Sequence, residues 1–399
     1  MKRSADNPQV TITPRAVSRV HGGHPWVYRS DIKSGAEAAP GSLVTVVDHR
    51  GKPLGTALYS STSQIALRML NANGVSDLPS LVRERISAAV AYRREVVRDS
   101  DAYRVVFSEA DQLPGLIADR YNDVVTFQVL TQAMDPEPVR AAIIDTLRDE
   151  LRPAAIVERV DPRIRELESL SPRESSIAYP ADEGATKTST VFSLNGVQFQ
   201  YDALGGQKTG AFLDQRQNYA AAERYARGRA LDICTYQGGF ALHLNRVCDS
   251  VTGVDVSRAA LEVADANLAL NGGREIEWIE ANAFELLKDY SAAGEQYDTI
   301  VLDPPAFAKT KSKREDALRG YKELNLRALK MLKPGGVLVT CSCSYHVGES
   351  DFLEMLSGAA VDAHRTIRVI EKRTQSQDHP ILLSVPETYY LKCVICSVL

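Results

Sequence analysis

From about Val191 to the C-terminus, strand-like runs alternate with helix-like runs, and this alternation constrains the fold more than any other feature of the sequence. Buried-type runs occur at Arg229–Cys234, Ser250–Val256, Glu275–Asn282, Tyr297–Pro305 and Gly335–Ser344. Helix-type runs occur at Ser257–Asn271 and around Arg319–Leu332. Such alternation predicts a parallel sheet with helices on both faces, an α/β architecture. In open sheets of this kind ligands bind at the carboxyl ends of the strands, so the residues at those ends carry the functional reading.

The preceding sequence divides into two zones. Residues 1–73 hold short β-rich runs at Val10–Pro14, Gly41–Asp48, Pro53–Ser60 and Ser63–Leu70, with a turn at His49–Lys52 and little helical period. They predict a small β-barrel that exits at Asn71–Gly74. Residues 74–190 open on a helix over Leu78–Arg98 with a basic face. Strand candidates follow at Val105–Phe107, Val124–Leu130 and Ala155–Val160, with a helix at Glu137–Leu151 and a polar, loop-like stretch over Ser169–Thr190. Residues 191–399 form the third zone.

Six cysteines show neither a disulfide framework nor paired metal-ligand spacing, so no metal is expected and a reducing cytoplasmic compartment is. Cys393 and Cys396 are formally two residues apart, but their spacers are apolar and the run reads as a strand. No apolar run approaches the roughly 20 residues of a membrane helix. The opening Met1–Val20 lacks the apolar stretch of a secretory signal. A net charge of −4 excludes bulk attraction to nucleic acid but leaves room for local basic patches.

At the first strand end, Asp232 leads into a turn with Gly238 and Gly239, and glycines there let backbone approach a ligand closely. The next strand ends on Asp255, a carboxylate placed to accept hydrogen bonds from both hydroxyls of a ribose. Asp255 could instead cap the following helix, though Ser257 suits that cap better. The GxGxxG spacing of a dinucleotide site is missing. Asn282 and Phe284 follow the third strand, where a polar side chain and an aromatic could hold an adenine. Asp303, Pro304 and Pro305 end the fourth in a rigid loop whose freed carbonyls can face a substrate. Lys309, Lys311, Lys313 and Arg314 come directly after it, four cations in six residues that could neutralise phosphates or form a solvated loop. The fifth strand ends on Cys341–Ser342–Cys343. Strand alternation sends both cysteines to one side and does not choose between them.

In order and spacing these strand ends resemble the class I S-adenosylmethionine-dependent methyltransferases. The run Leu204–Arg216 resembles one branch of them through Lys208–Thr209–Gly210 and Phe212–Leu213–Asp214–Gln215–Arg216. That branch is the ribosomal RNA large subunit methyltransferase I family, which methylates carbon 5 of a cytosine in 23S ribosomal RNA. The resemblance covers nearly the whole chain. It implies a PUA-like RNA-binding barrel, here with Gly22–Gly23–His24–Pro25–Trp26–Val27–Tyr28, then a central α/β domain and a Rossmann-like methyltransferase domain. It further implies S-adenosylmethionine as cofactor, 23S ribosomal RNA as partner, and a homodimer as a common assembly.

By position it assigns Asp232, Gly238, Gly239, Asp255, Asn282, Phe284 and Asp303 to the cofactor site. Relatives often carry Asp where this chain has Asn282. Phe212, Asp214 and Arg216 would close over cofactor or substrate. Cys343 would be the nucleophile, with Asp303 facing the cytosine ring, and Pro304, Pro305 and the basic run beside the RNA. The chemistry needs such a sulfur, because carbon 5 of cytosine is a poor nucleophile until a thiolate adds to carbon 6. Two other readings are a guanine-N2 methyltransferase of a related branch, which needs no cysteine, and a non-catalytic RNA-binding assembly factor, which has no need of Gly238, Gly239 or the Asp303 loop.

Overall fold

The computed structural model describes residues 7–35, 37–71, 74–180, 187–205, 211–308 and 310–399. The chain forms two compact units. One comprises the chain up to Thr190 with Tyr201–Gln207 and Gln377–Thr388, and the other the remainder.

In the first unit a six-stranded sheet runs in the order Trp26–Tyr28, Ile65–Asn71, Pro53–Tyr59, Leu43–Val47, Gln9–Ile12, Ile32–Ser34. Its inward positions alternate with outward ones, so Val10, Ile12, Val44, Val46, Ala57 and Leu67 share one core. The helix Pro14–His21 was not expected in this β-rich zone. Its signals are local: Thr13 accepts from the Ala16 amide as N-cap, and Pro14 sits in the first turn. A five-stranded sheet follows in the order Ser176–Pro180, Ala155–Glu158, Val124–Val129, Leu116–Tyr121, Ala102–Phe107. The helices Leu78–Val96 and Glu137–Leu151 pack in its core. Ser176–Pro180 lies inside the stretch expected to be loop. Its burial pattern has no fully buried position, and its short apolar run Ile177–Tyr179 is set in a polar stretch that outweighs it.

The second unit holds a seven-stranded sheet in the order Ile276–Glu280, Ser250–Asp255, Arg229–Ile233, Tyr297–Leu302, Leu332–Ser342, Lys392–Val398, Ile367–Arg373. The first five strands are parallel, as the alternation requires, and Lys392–Val398 enters antiparallel to both its neighbours. From Arg229–Ile233 the chain moves outward to Ser250–Asp255 and later returns on the other side as Tyr297–Leu302, so this strand is the topological switch point. Register aligns the carboxyl ends: Ile233 pairs with Leu302 and Leu302 with Thr340. Asp232, Asp303 and Cys343 therefore sit at or just past the ends of three adjacent strands.

Candidate active site

Asp232 is fully buried, and its Oδ2 accepts from the Thr235 hydroxyl at 2.6 Å and the Ala241 amide at 2.9 Å. These bonds tie the strand end to the helix Gly239–Leu244. Its Oδ1 has no partner among the described residues. Burial pushes this carboxyl up to about 7. Across the turn the backbone is left-handed at Cys234 (φ 65°), Tyr236 (φ 52°) and Gly238 (φ 86°). Such conformations cost non-glycine residues on the order of 1–3 kcal/mol and persist where the surroundings over-determine them, commonly at ligand loops. Asp255 supplies part of that determination. Its Oδ2 accepts from the Tyr236 amide and its Oδ1 from the Ser257 amide, both at 2.9 Å, while Ser257 caps the helix.

Gly239 has no room for a side chain, since a Cβ there would lie 2.6 Å from the ring of buried Tyr219. A cleft beside the turn is lined by Phe212, Cys234, Thr235, Tyr236, Gln237, Gly239 and Asp303, among others. Phe212 is 40 % exposed, and its ring lies 5.1 Å from that of Tyr236. Asp214 and Arg216 do not line it. The Asp214 carboxylate accepts from the Tyr390 hydroxyl at 2.7 Å, and Arg216 is buried at the start of the helix Arg216–Tyr225. Asn282 spends its carbonyl oxygen on the Phe284 and Glu285 amides as N-cap of Ala283–Ala293. Phe284 stands exposed with its ring 5.9 Å from Phe307.

Asp303 accepts from the Gln215 amide group at 2.9 Å, and Gln215 in turn accepts from Asn218 at 2.6 Å. Burial pushes Asp303 up to about 8, with the negative charges of Asp214 and Asp232 adding to the effect. The strand ends at Ser342, so the alternation expected to carry Cys341 and Cys343 to one side stops before the second of them. Cys341 is 0 % exposed and pairs across the ladder with Cys393. Cys343 is half-buried, its sulfur 3.9 Å from the Pro304 carbonyl oxygen. Burial pushes its thiol up to about 12, with Asp303 and Asp214 contributing. Pro304 is buried and Pro305 exposed.

The basic run is partly neutralised. Arg314 binds Asp351 through two nitrogens at 3.1 and 2.6 Å, and Lys313 lies 3.5 Å from Asp316. Lys311 is exposed, while Lys309 and the Lys208–Gly210 run lie outside the described residues. In the first unit Arg93 is buried, and its guanidinium binds Asp111 and the Asp378 carbonyl. Asp378 also accepts from the Arg104 amide, so Asp378–His379 acts as a brace. Sequence reasoning missed Thr235, Tyr219, Gln215 and Tyr390 as supports. Only Gln215 carried a signal, through its place beside Asp214 and Arg216. Among the described residues no group of three or more His, Cys, Asp or Glu is arranged to hold a metal, and no helix is long and apolar enough to cross a membrane.

Residues 10–72 match the PUA-like domain family, and residues 112–382 match the S-adenosylmethionine-dependent methyltransferase family. The chain is 35 % identical to ribosomal RNA large subunit methyltransferase I of Shewanella denitrificans, over 98 % of this chain and 99 % of that protein. It is 38 % identical to the protein of the same name from Tolumonas auensis, over 93 % and 94 %. The fold matches the solved structure of SMU.776, assigned as a methyltransferase and crystallised with SAH. That likeness has a TM-score of 0.82 at 18 % identity and covers 98 % of this chain and 100 % of that one. With its glycine turn, acidic strand ends and matched domains, the chain belongs to the ribosomal RNA large subunit methyltransferase I family of S-adenosylmethionine-dependent methyltransferases.

Proposed function

We propose that this chain methylates carbon 5 of a cytosine in 23S ribosomal RNA, using Cys343 as nucleophile and Asp303 as acid. The observation that carries the reading is the pairing of a half-buried thiol with a carboxyl group raised to about 8, at the ends of neighbouring parallel strands. The domain reading goes with it: an RNA-binding barrel at 1–73, a central α/β domain at 74–190 and a catalytic domain at 191–399. The substrate places the enzyme in the cytoplasm.

The residues fit the methyl donor, which is cationic and carries a nucleoside. Asp232 keeps a buried oxygen without a partner among the described residues, Gly239 admits close approach, and Asp303 lines the same cleft. Asp232, Gly238, Gly239 and Asp255 would hold it, with Phe212 and Phe284 against its flat parts and the Asn282 amino group, not its capped oxygen, free to reach it. Asp214 and Arg216 act from behind, through Tyr390 and the helix start. When bound, S-adenosylmethionine supplies an electrophilic methyl group.

The chain's own residues do the rest. The Cys343 sulfur bonds to carbon 6 of the cytosine, and the displaced electron pair moves toward the ring nitrogen. Asp303, holding its proton, donates there and spreads the charge. Carbon 5 becomes an enamine carbon able to accept the methyl group. Loss of the carbon-5 proton to solvent then expels the thiolate, and the ring nitrogen returns its proton to Asp303, which restores both ring and acid. Pro304 and Pro305 hold the loop rigid, and Lys311 faces the RNA backbone, while Lys309, outside the described residues, adds a charge to the same stretch of sequence. Lys313 and Arg314 contribute less there because their charges are engaged by acids.

Mass-spectrometric mapping of 23S ribosomal RNA from a strain lacking the protein tests the assignment. One 5-methylcytosine is lost and returns with the wild-type chain. Loss of a methylguanine instead, or of no methyl group, overturns the reading. A second expected outcome concerns the cofactor turn. Gly239→Ala forces a methyl group into the Tyr219 ring, a strain of roughly 1–3 kcal/mol that falls on the turn. S-adenosylmethionine affinity, read by calorimetry, drops about tenfold while far-UV circular dichroism is retained. Unchanged affinity would remove Gly239 from the cofactor site.

A further inference from the structure

Lys392 opens the last strand, opposite Ser342 in the antiparallel ladder, and is only 3 % exposed. A lysine is almost never so deeply buried without a partner of opposite charge. Here the ammonium has no acid in contact among the described residues. It donates to the Ser344 carbonyl at 2.7 Å and to the Tyr390 carbonyl at 2.8 Å. Ser344 directly follows Cys343. Its hydroxyl is fixed as well, 2.9 Å from the Tyr321 hydroxyl and accepting from the Ala308 amide at 3.1 Å. The chain leaving the fifth strand is thus held by groups from three other elements.

The groups facing Cys343 are Asp303 from the fourth strand's end, Asp214 from the turn Leu213–Gln215, the Tyr321 phenol from the helix Arg314–Met331, and Lys392 from the last strand. Lys392 itself faces Cys343 and, from the helix Glu349–Asp362, Asp351. Asp351 is engaged by Arg314. Burial pulls the lysine down to about 8, with Cys343 and Asp351 opposing the fall.

We propose that Lys392 is the positioning residue of the Cys343 site, its ammonium pinning the Cys343–Ser344 segment and stabilising the sulfur as thiolate against Asp303 and Asp214. Its part in catalysis rests on reading Cys343 as the nucleophile. Its action on the thiol does not, because that can be read without RNA or methyl donor.

The experiment follows alkylation of Cys343 by iodoacetamide at pH 7, below the value of about 8 to which burial pulls the lysine, with the Cys343 peptide quantified by mass spectrometry. In Lys392→Met the rate falls about tenfold, as expected when one nearby opposite charge is removed. Lys392→Arg keeps the charge and recovers most of the rate. Lys392→Gln keeps a hydrogen bond without the charge, behaves like the methionine variant, and replaces it if that variant does not fold. Melting temperature and S-adenosylmethionine affinity serve as controls, since a purely structural lysine would move the first and leave the thiol rate alone. An alkylation rate in the neutral variants within twofold of wild type overturns the proposal. If Cys343→Ala still methylates RNA while Lys392→Met slows alkylation, the nucleophile reading fails and the lysine's effect on the thiol stands.

Discussion

Replacing Cys343 by alanine lowers the methylation rate by at least about 10³-fold, the scale on which removal of a covalent nucleophile acts. The ring cannot be activated at carbon 5 by hydrogen bonding alone, so no neighbouring side chain substitutes for the sulfur. S-adenosylmethionine affinity stays within about twofold, because Cys343 is not among the residues lining the cleft beside the glycine turn. Folding is also little affected, since the side chain is half-buried and its removal leaves at most a small cavity. Cys341→Ala is the matched control with the opposite profile. That side chain is fully buried against the last strand, so its loss costs on the order of 1 kcal/mol of stability and spares the chemistry. A fluorine on carbon 5 of the substrate cytosine makes the same point covalently. It cannot leave as a proton does, so wild-type enzyme should remain bonded to the RNA through denaturing electrophoresis, and the Cys343→Ala variant should not. Methylation by Cys343→Ala within tenfold of wild type, or a trapped adduct in that variant, would sink the assignment.

The sequence made the catalytic sheet legible because its information is local and repetitive. Apolar runs of strand length, each closed by a glycine, an acid or a proline, state both the element and its functional end. The places of Asp232, Asp255 and Asp303 at strand ends could be read off for that reason, whereas the choice of Cys343 over Cys341 came from the family resemblance. What could not be read depends on groups far apart in the chain. Gln215 reaches Asp303, Tyr390 reaches Asp214 and Lys392 reaches Ser344, and none of these separations leaves a periodic trace. Charges were legible as composition but not as pairs. The run at Lys311–Arg314 looked uniformly basic until Asp351 and Asp316 were placed against it. The helix Pro14–His21 shows the reverse case. Thr13 and Pro14 announce it in the sequence, but the β-rich runs around it outweighed a two-residue signal. Ser176–Pro180 offered only the three-residue apolar run Ile177–Tyr179 in a polar stretch, being a half-exposed edge strand recruited by backbone pairing with Ala155–Glu158.

The pH dependence of kcat/KM should rise about tenfold per pH unit up to about pH 8 and then level off, and Asp303→Asn should abolish the long level region. The argument starts from the two groups the reaction needs, a deprotonated Cys343 and a protonated Asp303. Their ordinary order is inverted: the carboxyl is held up to about 8 and the thiol up to about 12, in both cases chiefly by burial. Below pH 8 Asp303 keeps its proton and the thiolate fraction grows tenfold per unit, so the rate climbs. Above pH 8 each further gain in thiolate is cancelled by loss of the proton from Asp303, so the rate is flat until the thiol itself titrates. The kinetic midpoint near 8 therefore belongs to the acid although it appears on the ascending limb, a pattern characteristic of coupled sites. The competent form is scarce, about one molecule in 10⁴ on the plateau if the two groups titrated independently. Their coupling makes it commoner, because the Asp303 charge is one of the causes holding the thiol up and is absent when that proton is kept. Asp303→Asn cannot donate an acidic proton, so its rate falls about 10²–10⁴-fold while its logarithm keeps rising beyond pH 8, interrupted only by the inflection of about one log unit that loss of the Lys392 charge leaves there. Asp214→Asn sharpens the test. Asp214 is the second cause of the raised Asp303 value, so its neutralisation moves the break to lower pH without abolishing it. A wild-type profile that falls on its alkaline side at pH 8, or a level region from pH 8 upward that survives when Asp303→Asn is combined with Lys392→Met, would assign the ionisation to another group and take the acid role away from Asp303.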